Sequence, residues 1–128
     1  MKLLLDTCTF LWIISAAQEL SECAKKVFSE PENEVFLSAV SSWEIAIKHS
    51  LGRLSFPGPP HEYIPSQRKK HKIASLEIDE ESALHLIRIP ELHKDPFDRM
   101  LVSQALIHGL IILTPDKLIS QYPVKIMW

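Results

Sequence analysis

The first seven residues, Met1 to Thr7, are MKLLLDT, a short apolar run that ends at an aspartate. This run is too short for a membrane span or for the core of a signal peptide. It has the length of a buried strand, and unbroken apolar runs are typical of parallel sheets covered on both faces. We therefore expect a strand over Met1 to Leu5 that leads into a helix extending to about Ala16.

Strands and helices alternate along the rest of the chain, which favours a parallel α/β sheet. The expected strands are Glu34–Ser38 (EVFLS), Leu110–Thr114 (LIILT) and Val124–Met127, with a short strand or extended segment over Ile73–Ile78. The expected helices are Ser21–Ser29, Ser41–Ser50 with Gly52 after its end, His61–Lys70, Asp79–Ile87, Asp95–His108 with Gly109 after its end, and Asp116–Gln121.

The composition describes an ordinary globular protein. The chain has 128 residues, 46% of them hydrophobic and 23% charged, so we expect one domain over residues 1–128. A net charge of −2 gives no sign of a broadly basic surface. With no membrane span or targeting segment expected, we predict a cytoplasmic protein. Cys8 and Cys23 show no zinc-site spacing and are expected to be buried free thiols.

Five acidic residues occupy related positions. Asp6 and Asp116 each follow a predicted strand, and Glu44 falls in the first turn of the helix after the second strand. Asp95 and Asp98 open the long helix that precedes LIILT. Open parallel sheets bind ligands beyond the carboxyl ends of their strands, where the strand order reverses. We expect these carboxylates to converge at that edge.

Each acid taken alone has an ordinary structural explanation. Ser41 and Glu44 have capping-box spacing, and the aspartates suit helix N-termini. Several ionised carboxylates at one edge would nevertheless repel one another, unless their pKa values rise or cations bind. Hard divalent cations prefer oxygen ligands, and such a site is suited to phosphodiester hydrolysis.

The chain resembles the PIN domains of the VapC toxin family, and the resemblance extends from MKLLLDT to the terminal KIMW. The order and spacing of several segments carry it: Leu4–Thr7 (LLDT), Ser38–Lys48 (SAVSSWEIAIK), Leu51–Leu54 (LGRL), Asp95–Arg99 (DPFDR) and Leu113–Asp116 (LTPD).

The resemblance implies a three-layer α/β/α fold with a central parallel sheet of about five strands. It implies an endoribonuclease that depends on Mg²⁺ or Mn²⁺ and acts as the toxin of a type II toxin–antitoxin pair. RNA is then the substrate, a cognate antitoxin the protein partner, and a homodimer the expected assembly. The family's catalytic metal ligands fall on Asp6, Glu44, Asp98 and Asp116, with Asp95 as a further metal ligand.

Two positions depart from the family pattern. Cys8 replaces a common histidine, and Pro115 replaces a small residue in the Thr-x-Asp segment, where it is expected to shift Asp116 slightly. Thr7 and Thr114 are candidates to orient the carboxylates. Arg99 is expected to pair with an acidic neighbour. The six histidines are scattered and do not indicate histidine-based catalysis.

Other functions remain open at this point. A signalling receiver-like module would need its phosphoacceptor on a central strand and a later lysine, and neither Asp6 nor Lys117 is well placed. A haloacid-dehalogenase-type phosphatase would need an aspartate where Cys8 stands. A non-catalytic module, in which the acids cap helices or bind Mg²⁺ without nuclease activity, is the main alternative.

Overall fold

A computed structural model describes all residues from 1 to 128. The strands are β1 (Lys2–Leu5), β2 (Glu34–Ser38), β3 (Ala74–Leu76), β4 (Ile111–Leu113) and β5 (Ile126–Met127). The α-helices are α1 (Thr7–Ser15), α2 (Glu22–Ser29), α3 (Ala39–Ser50), α4 (Pro60–Lys70), α5 (Glu80–His85) and α6 (Pro96–His108). Two 3₁₀ turns, Leu86–Arg88 and Ile119–Gln121, complete the elements.

The five strands form one parallel sheet in the order β3-β2-β1-β4-β5. The first strand is therefore central: Leu4 pairs with Phe36 of β2 on one side and with Ile112 of β4 on the other. The chain builds outward from β1 in one direction and then returns to its other side. This reversal leaves a crevice beyond the carboxyl end of β1.

Alternate side chains of the strands enter two separate cores. Leu3 and Leu5 pack with α1, α2 and α4, whereas Leu4 packs with α6 on the opposite face. All three leucines are fully buried. Burial on both faces explains why β1 is apolar without alternation, and it confirms the predicted three-layer α/β/α arrangement with five parallel strands.

Helix α6 has the boundaries that its sequence predicts. The side chain of Asp95 accepts hydrogen bonds from the first turn, Pro96 is the first helical residue, and Gly109 ends the helix with a φ of 67°. A positive φ favours glycine because that residue has no Cβ to clash with the backbone. These local signals fix the position of Asp98 in the first turn of the helix.

Helix α3 begins two residues before the predicted start. Its N-cap is Ser38, whose hydroxyl accepts from the amide of Val40. The predicted capping box of Ser41 and Glu44 is therefore wrong, because the last residue of β2 already caps the helix. Ser41 is buried within the helix, and Glu44 lies in its second turn.

Several smaller expectations also change. Strands β4 and β5 are shorter than predicted, and only Ile119–Gln121 of the expected Asp116–Gln121 helix is helical. Both cysteines are free, but Cys8 is only half-buried and Cys23 is exposed, so the prediction of buried thiols is wrong. No helix combines the length and the apolar character that crossing a bilayer requires.

Candidate metal centre

One cleft at the carboxyl edge of the sheet contains all five predicted acids. Its lining comprises Asp6, Thr7, Cys8, Leu11, Glu44, Lys48, Asp95, Asp98 and Asp116. It lies at the crevice between β1 and β4, where the strand order reverses. We call this lining the acidic cleft.

Asp6 connects the centre of the sheet to the cleft. Its Oδ1 accepts from the amide of Thr9 at 2.8 Å, so it caps α1 as well. Its Oδ2 accepts from the hydroxyl of Thr114, which follows β4. The thiol of Cys8 donates to Oδ1 at 3.3 Å. Burial and the neighbouring carboxylate raise the pKa of Cys8 to about 12, so the thiol keeps its proton.

Glu44 reaches the same cleft from α3. It is 7% exposed, and the hydroxyl of Thr7 donates to its Oε1 at 2.7 Å. The ammonium group of Lys48, one turn later, lies 2.5 Å from its Oε2. Glu44 is thus held from two sides, and its nearest cation comes from its own helix.

Asp95 and Asp98 play different parts at the start of α6. Oδ1 of Asp95 accepts from the amides of Phe97 at 2.9 Å and Asp98 at 3.3 Å, as an N-cap residue does. Oδ2 of Asp98 instead lies 2.9 Å from Nε2 of His93. Burial, together with the charges of Asp95 and Asp116, raises the pKa of Asp98 to about 6 against the opposing effect of His93.

Asp116 completes the cleft from the loop after β4. Its amide donates to Oγ1 of Thr114 at 3.0 Å, and its Oδ1 accepts from the amide of Leu118 at 2.9 Å. The hydroxyl of Thr114 therefore joins Asp6 and Asp116. Despite Pro115, a carboxylate oxygen of Asp116 lies within 4.8 Å of ligand atoms of Asp98 and His93.

The structure brings together Asp6, Glu44, Asp95, Asp98 and Asp116, and leaves none of them elsewhere. It also brings in two residues that the sequence analysis did not select. Lys48 could have been found from its spacing of four residues after Glu44. His93 lies in a loop without periodicity, and no local signal marks it.

The prediction for Arg99 is wrong. Its guanidinium donates to the carbonyls of Leu86 and Ile89 and contacts no carboxylate. Those carbonyls belong to the first residue of the 3₁₀ turn and to the residue that follows the turn, just before the His93 loop. Arg99 thus holds the loop and leaves the charge of the acidic cleft unchanged.

The donor set fits a hard divalent cation. Five carboxylates meet within the cleft, and Lys48 and His93 are the basic side chains bonded to them. Carboxylate oxygens are the ligands that Mg²⁺ and Mn²⁺ prefer in proteins. The raised pKa of Asp98 shows that burial and the neighbouring carboxylates disfavour its charged form, which a bound cation would stabilise.

Comparison with known proteins agrees with this architecture. A family model described as the PIN domain matches residues 3–125. Ribonuclease VapC16 of Mycobacterium tuberculosis is 33% identical over 70 residues, which cover 55% of this chain and 49% of that protein. The match thus spans about half the length of that curated relative.

Solved structures share the fold at low sequence identity. The chain is similar to one in VapBC2 from Rickettsia felis bound to promoter DNA, with a TM-score of 0.70 and 12% identity over 99% of this chain and 98% of that one. It is similar to one in DNA-bound VapBC from Salmonella typhimurium, with a TM-score of 0.69 and 17% identity over 99% and 97%. The match of nearly the whole sequence to the family model shows that this chain belongs to the PIN domain family.

Proposed function

We propose that this protein is an endoribonuclease that depends on a divalent metal ion and acts as a VapC-type toxin, with residues 1–128 working as one PIN domain. One observation carries the proposal: the carboxylates of Asp6, Glu44, Asp98 and Asp116 converge on one cleft although they come from four separate segments. Capping alone does not explain this convergence, because Glu44 and Asp98 cap no helix.

The four carboxylates are the proposed catalytic metal ligands, and Asp95 is the proposed further contributor. Thr7 and Thr114 fix the orientation of Glu44 and Asp6 through their hydroxyls. When bound at such a site, Mg²⁺ or Mn²⁺ activates a water molecule and stabilises negative charge on the phosphate and leaving oxygens. Lys48 balances part of the charge on Glu44 in the metal-free protein.

RNA is the proposed substrate because a curated relative is named a ribonuclease and because exposed lysines flank two of the acids in the sequence. Lys94 and Lys117 are exposed and stand directly beside Asp95 and Asp116 in the sequence. Cations at the rim can contact phosphates while the carboxylates hold the metal ion. The overall charge of −2 is compatible with this division, since attraction at the site is local.

The proposed protein partners are a cognate antitoxin and a second copy of this chain. The solved relatives described above are VapBC complexes. Helix α3 carries an apolar stripe at four-residue spacing, in which Trp43 is 57%, Ile47 36% and Leu51 62% exposed. Exposed apolar stripes of this kind are typical of protein interfaces.

Cleavage of a cellular RNA pool by the purified protein tests the function. The reactions contain Mg²⁺, Mn²⁺ or EDTA, and the variants are Asp6→Asn and, as a matched control away from the cleft, Asp79→Asn. We expect discrete fragments that require the metal, persist in the control and vanish in Asp6→Asn. Cleavage by a well-folded Asp6→Asn protein would contradict the proposed site. A protein that neither cleaves RNA nor gains thermal stability from either metal would be the non-catalytic module.

A further inference from the structure

His93 is a histidine that lies beside two of the five predicted acids, Asp98 and Asp116. Its Nε2 lies 2.9 Å from Oδ2 of Asp98, and 18% of each side chain is exposed. Ligand atoms of His93, Asp98 and Asp116 all lie within 4.8 Å of one another. This bound is close to the largest separation of two ligand atoms on one cation, which is about 4.4 Å when metal–ligand bonds are about 2.0–2.2 Å long.

The loop that carries His93 is held by tertiary contacts on both sides. The hydroxyl of Tyr122, a residue that is 3% exposed, donates to the carbonyl of His93 at 3.3 Å. Before it, Arg99 donates to the carbonyl of Ile89 at 3.2 Å. After it, Asp95 caps α6. Contacts of this kind fix the position of a side chain before a ligand arrives, which is what a binding site requires.

The imidazole also changes the chemistry of the donor set. Mg²⁺ binds through oxygen and keeps several waters, whereas imidazole nitrogen suits transition metals. A site made of carboxylates alone would discriminate weakly between Mg²⁺ and Mn²⁺. One nitrogen ligand shifts the balance toward Mn²⁺.

We propose that His93 is a direct nitrogen ligand of the catalytic cation, next to Asp98 and Asp116, and that it makes the centre prefer Mn²⁺ over Mg²⁺. This inference rests on the proposed metal-dependent function. It assigns to His93 a role in binding the metal ion itself. Metal binding replaces the hydrogen bond to Asp98, because the neutral imidazole then keeps its proton on Nδ1 and offers the lone pair of Nε2 to the cation.

The test is the binding of Mn²⁺ alone to the full-length protein, followed by electron paramagnetic resonance, with Mg²⁺ as competitor. The variants are His93→Gln and, as a matched control, His61→Gln, which alters an exposed histidine paired only with Glu62 at 3.8 Å. The amide nitrogen of glutamine can still donate to Asp98, but it offers no imidazole nitrogen. The variant therefore separates metal binding from the positioning of Asp98.

We expect the bound Mn²⁺ to show hyperfine coupling to a histidine nitrogen, labelled with ¹⁵N, in the wild type and in His61→Gln. The coupling should vanish in His93→Gln. The Mn²⁺ affinity of that variant should fall by about 10- to 100-fold, the range found when metal sites lose supporting groups, and its Mg²⁺ affinity should fall less.

Bound Mn²⁺ without nitrogen coupling in the wild type would overturn the inference and leave the proposed function standing. So would wild-type Mn²⁺ affinity in His93→Gln, which would make His93 a positioning residue for Asp98. A wild type that binds Mg²⁺ but no Mn²⁺ would overturn the inference alone, and a wild type that binds neither metal would overturn the proposed metal-dependent function as well. An Asp98→Asn protein, which should lose affinity for both metals, shows that the ion bound by the wild type lies in the acidic cleft.

Discussion

The molecule contains two aspartate–histidine pairs of nearly the same length and opposite character. In the acidic cleft, Oδ2 of Asp98 lies 2.9 Å from Nε2 of His93. Across the α5–α6 contact, Oδ1 of Asp79 lies 2.8 Å from Nε2 of His108. The pKa of Asp98 is raised to about 6, whereas the pKa of Asp79 is held well below its usual range.

The surroundings of the two carboxyls explain the difference. Asp98 is mostly buried beside Asp95 and Asp116, so its charged form loses water and meets like charges. Asp79 is about a third exposed. It accepts from His108, and from both the hydroxyl and the amide of Ser82. We call Asp79, Ser82 and His108 the Asp79 clasp.

A serine, a histidine and an aspartate in contact thus do not make the Asp79 clasp a catalytic site. The hydroxyl of Ser82 donates to Asp79, and Ser82 is fully buried, so it could not attack a substrate. The clasp joins the start of α5 to the end of α6. The two pairs therefore differ in their surroundings: Asp98 is more buried and has other carboxylates beside it, whereas hydrogen bonds stabilise the charged form of Asp79.

The largest expected difference between the two regions is in RNA cleavage. Asp6→Asn should lower the rate by at least ~1,000-fold, because removing one charge from a metal-binding set weakens both binding and charge stabilisation. Asp79→Asn should leave the rate within about twofold, since no atom of the clasp reaches the cleft. Cleavage rates at saturating Mn²⁺, with circular dichroism as the check on folding, measure this. An equal loss of cleavage rate in Asp6→Asn and Asp79→Asn would contradict the proposed difference between the acidic cleft and the Asp79 clasp.

The second difference is the sign of the pH dependence of stability in EDTA. The pKa of Asp98 in the native protein is about 6 rather than 3.8. Its contribution to the free energy of unfolding is therefore fully present below about pH 4 and is lost as the pH rises to about 6. The loss should amount to about 3 kcal/mol. The free energy of unfolding of Asp98→Asn, measured by urea titration from pH 4 to 7, should lack this decline.

Asp79 should behave in the opposite way. Because its pKa is lowered, its contribution to the free energy of unfolding is fully present at pH values above its ordinary pKa of 3.8 and is lost as the pH falls below that value. The same titrations on Asp79→Asn, extended to lower pH, should therefore show a weaker acid destabilisation than the wild type. Curves of the same slope for both variants would mean that the two carboxyls do not differ as described.

A third, smaller effect concerns the clasp alone. Ser82→Ala removes a buried hydroxyl that donates to Asp79, and it should cost about 1 kcal/mol of stability. Metal affinity should not change. Urea denaturation and Mn²⁺ titration measure the two quantities, and Ser66→Ala on exposed α4 is the matched control. A change in Mn²⁺ affinity would show that the clasp and the cleft are coupled.

The smallest expected effect concerns the ion pair of Lys48 and Glu44 in the acidic cleft. Lys48→Met removes the cation paired with Glu44, so a divalent cation should bind more tightly, by less than tenfold. Isothermal titration with Mg²⁺ measures the change. Lys69→Met, at an exposed site on α4, is the control. A weaker affinity in Lys48→Met would instead assign Lys48 a supporting role in metal binding.

The sequence predicted those parts of the fold that depend on local signals. Strand β1 is an unbroken apolar run, and α6 has Asp95, Pro96 and Gly109 at its ends. The sequence also predicted that the acidic residues converge, because the carboxyl ends of parallel strands lie at one edge of the sheet. Their role as metal ligands stays a prediction, as do the single domain and the cytoplasmic location.

The remaining features depend on contacts between distant residues. His93 lies beside Asp98, and its carbonyl accepts a hydrogen bond from Tyr122, 29 residues later. Arg99 lies next to Asp98 in the sequence, yet its guanidinium donates to the carbonyls of Leu86 and Ile89, which lie 13 and 10 residues earlier in the chain. The sequence predicts the start of α3 two residues too late, because Ser38 is both the last residue of β2 and the N-cap of α3. The periodicity of apolar residues in the sequence does not predict any of these contacts.

The central place of β1 has a consequence for the time course of synthesis and folding. Its partner on one side, β2, follows soon, but β4 on the other side follows only after all the other elements except β5 and a 3₁₀ turn. The bond between Thr114 and Asp6 spans 108 residues. The acidic cleft therefore cannot form until the chain has been made as far as Thr114, and one edge of β1 stays unpaired until β4 follows. Until then, the growing chain must be kept from aggregating through that edge.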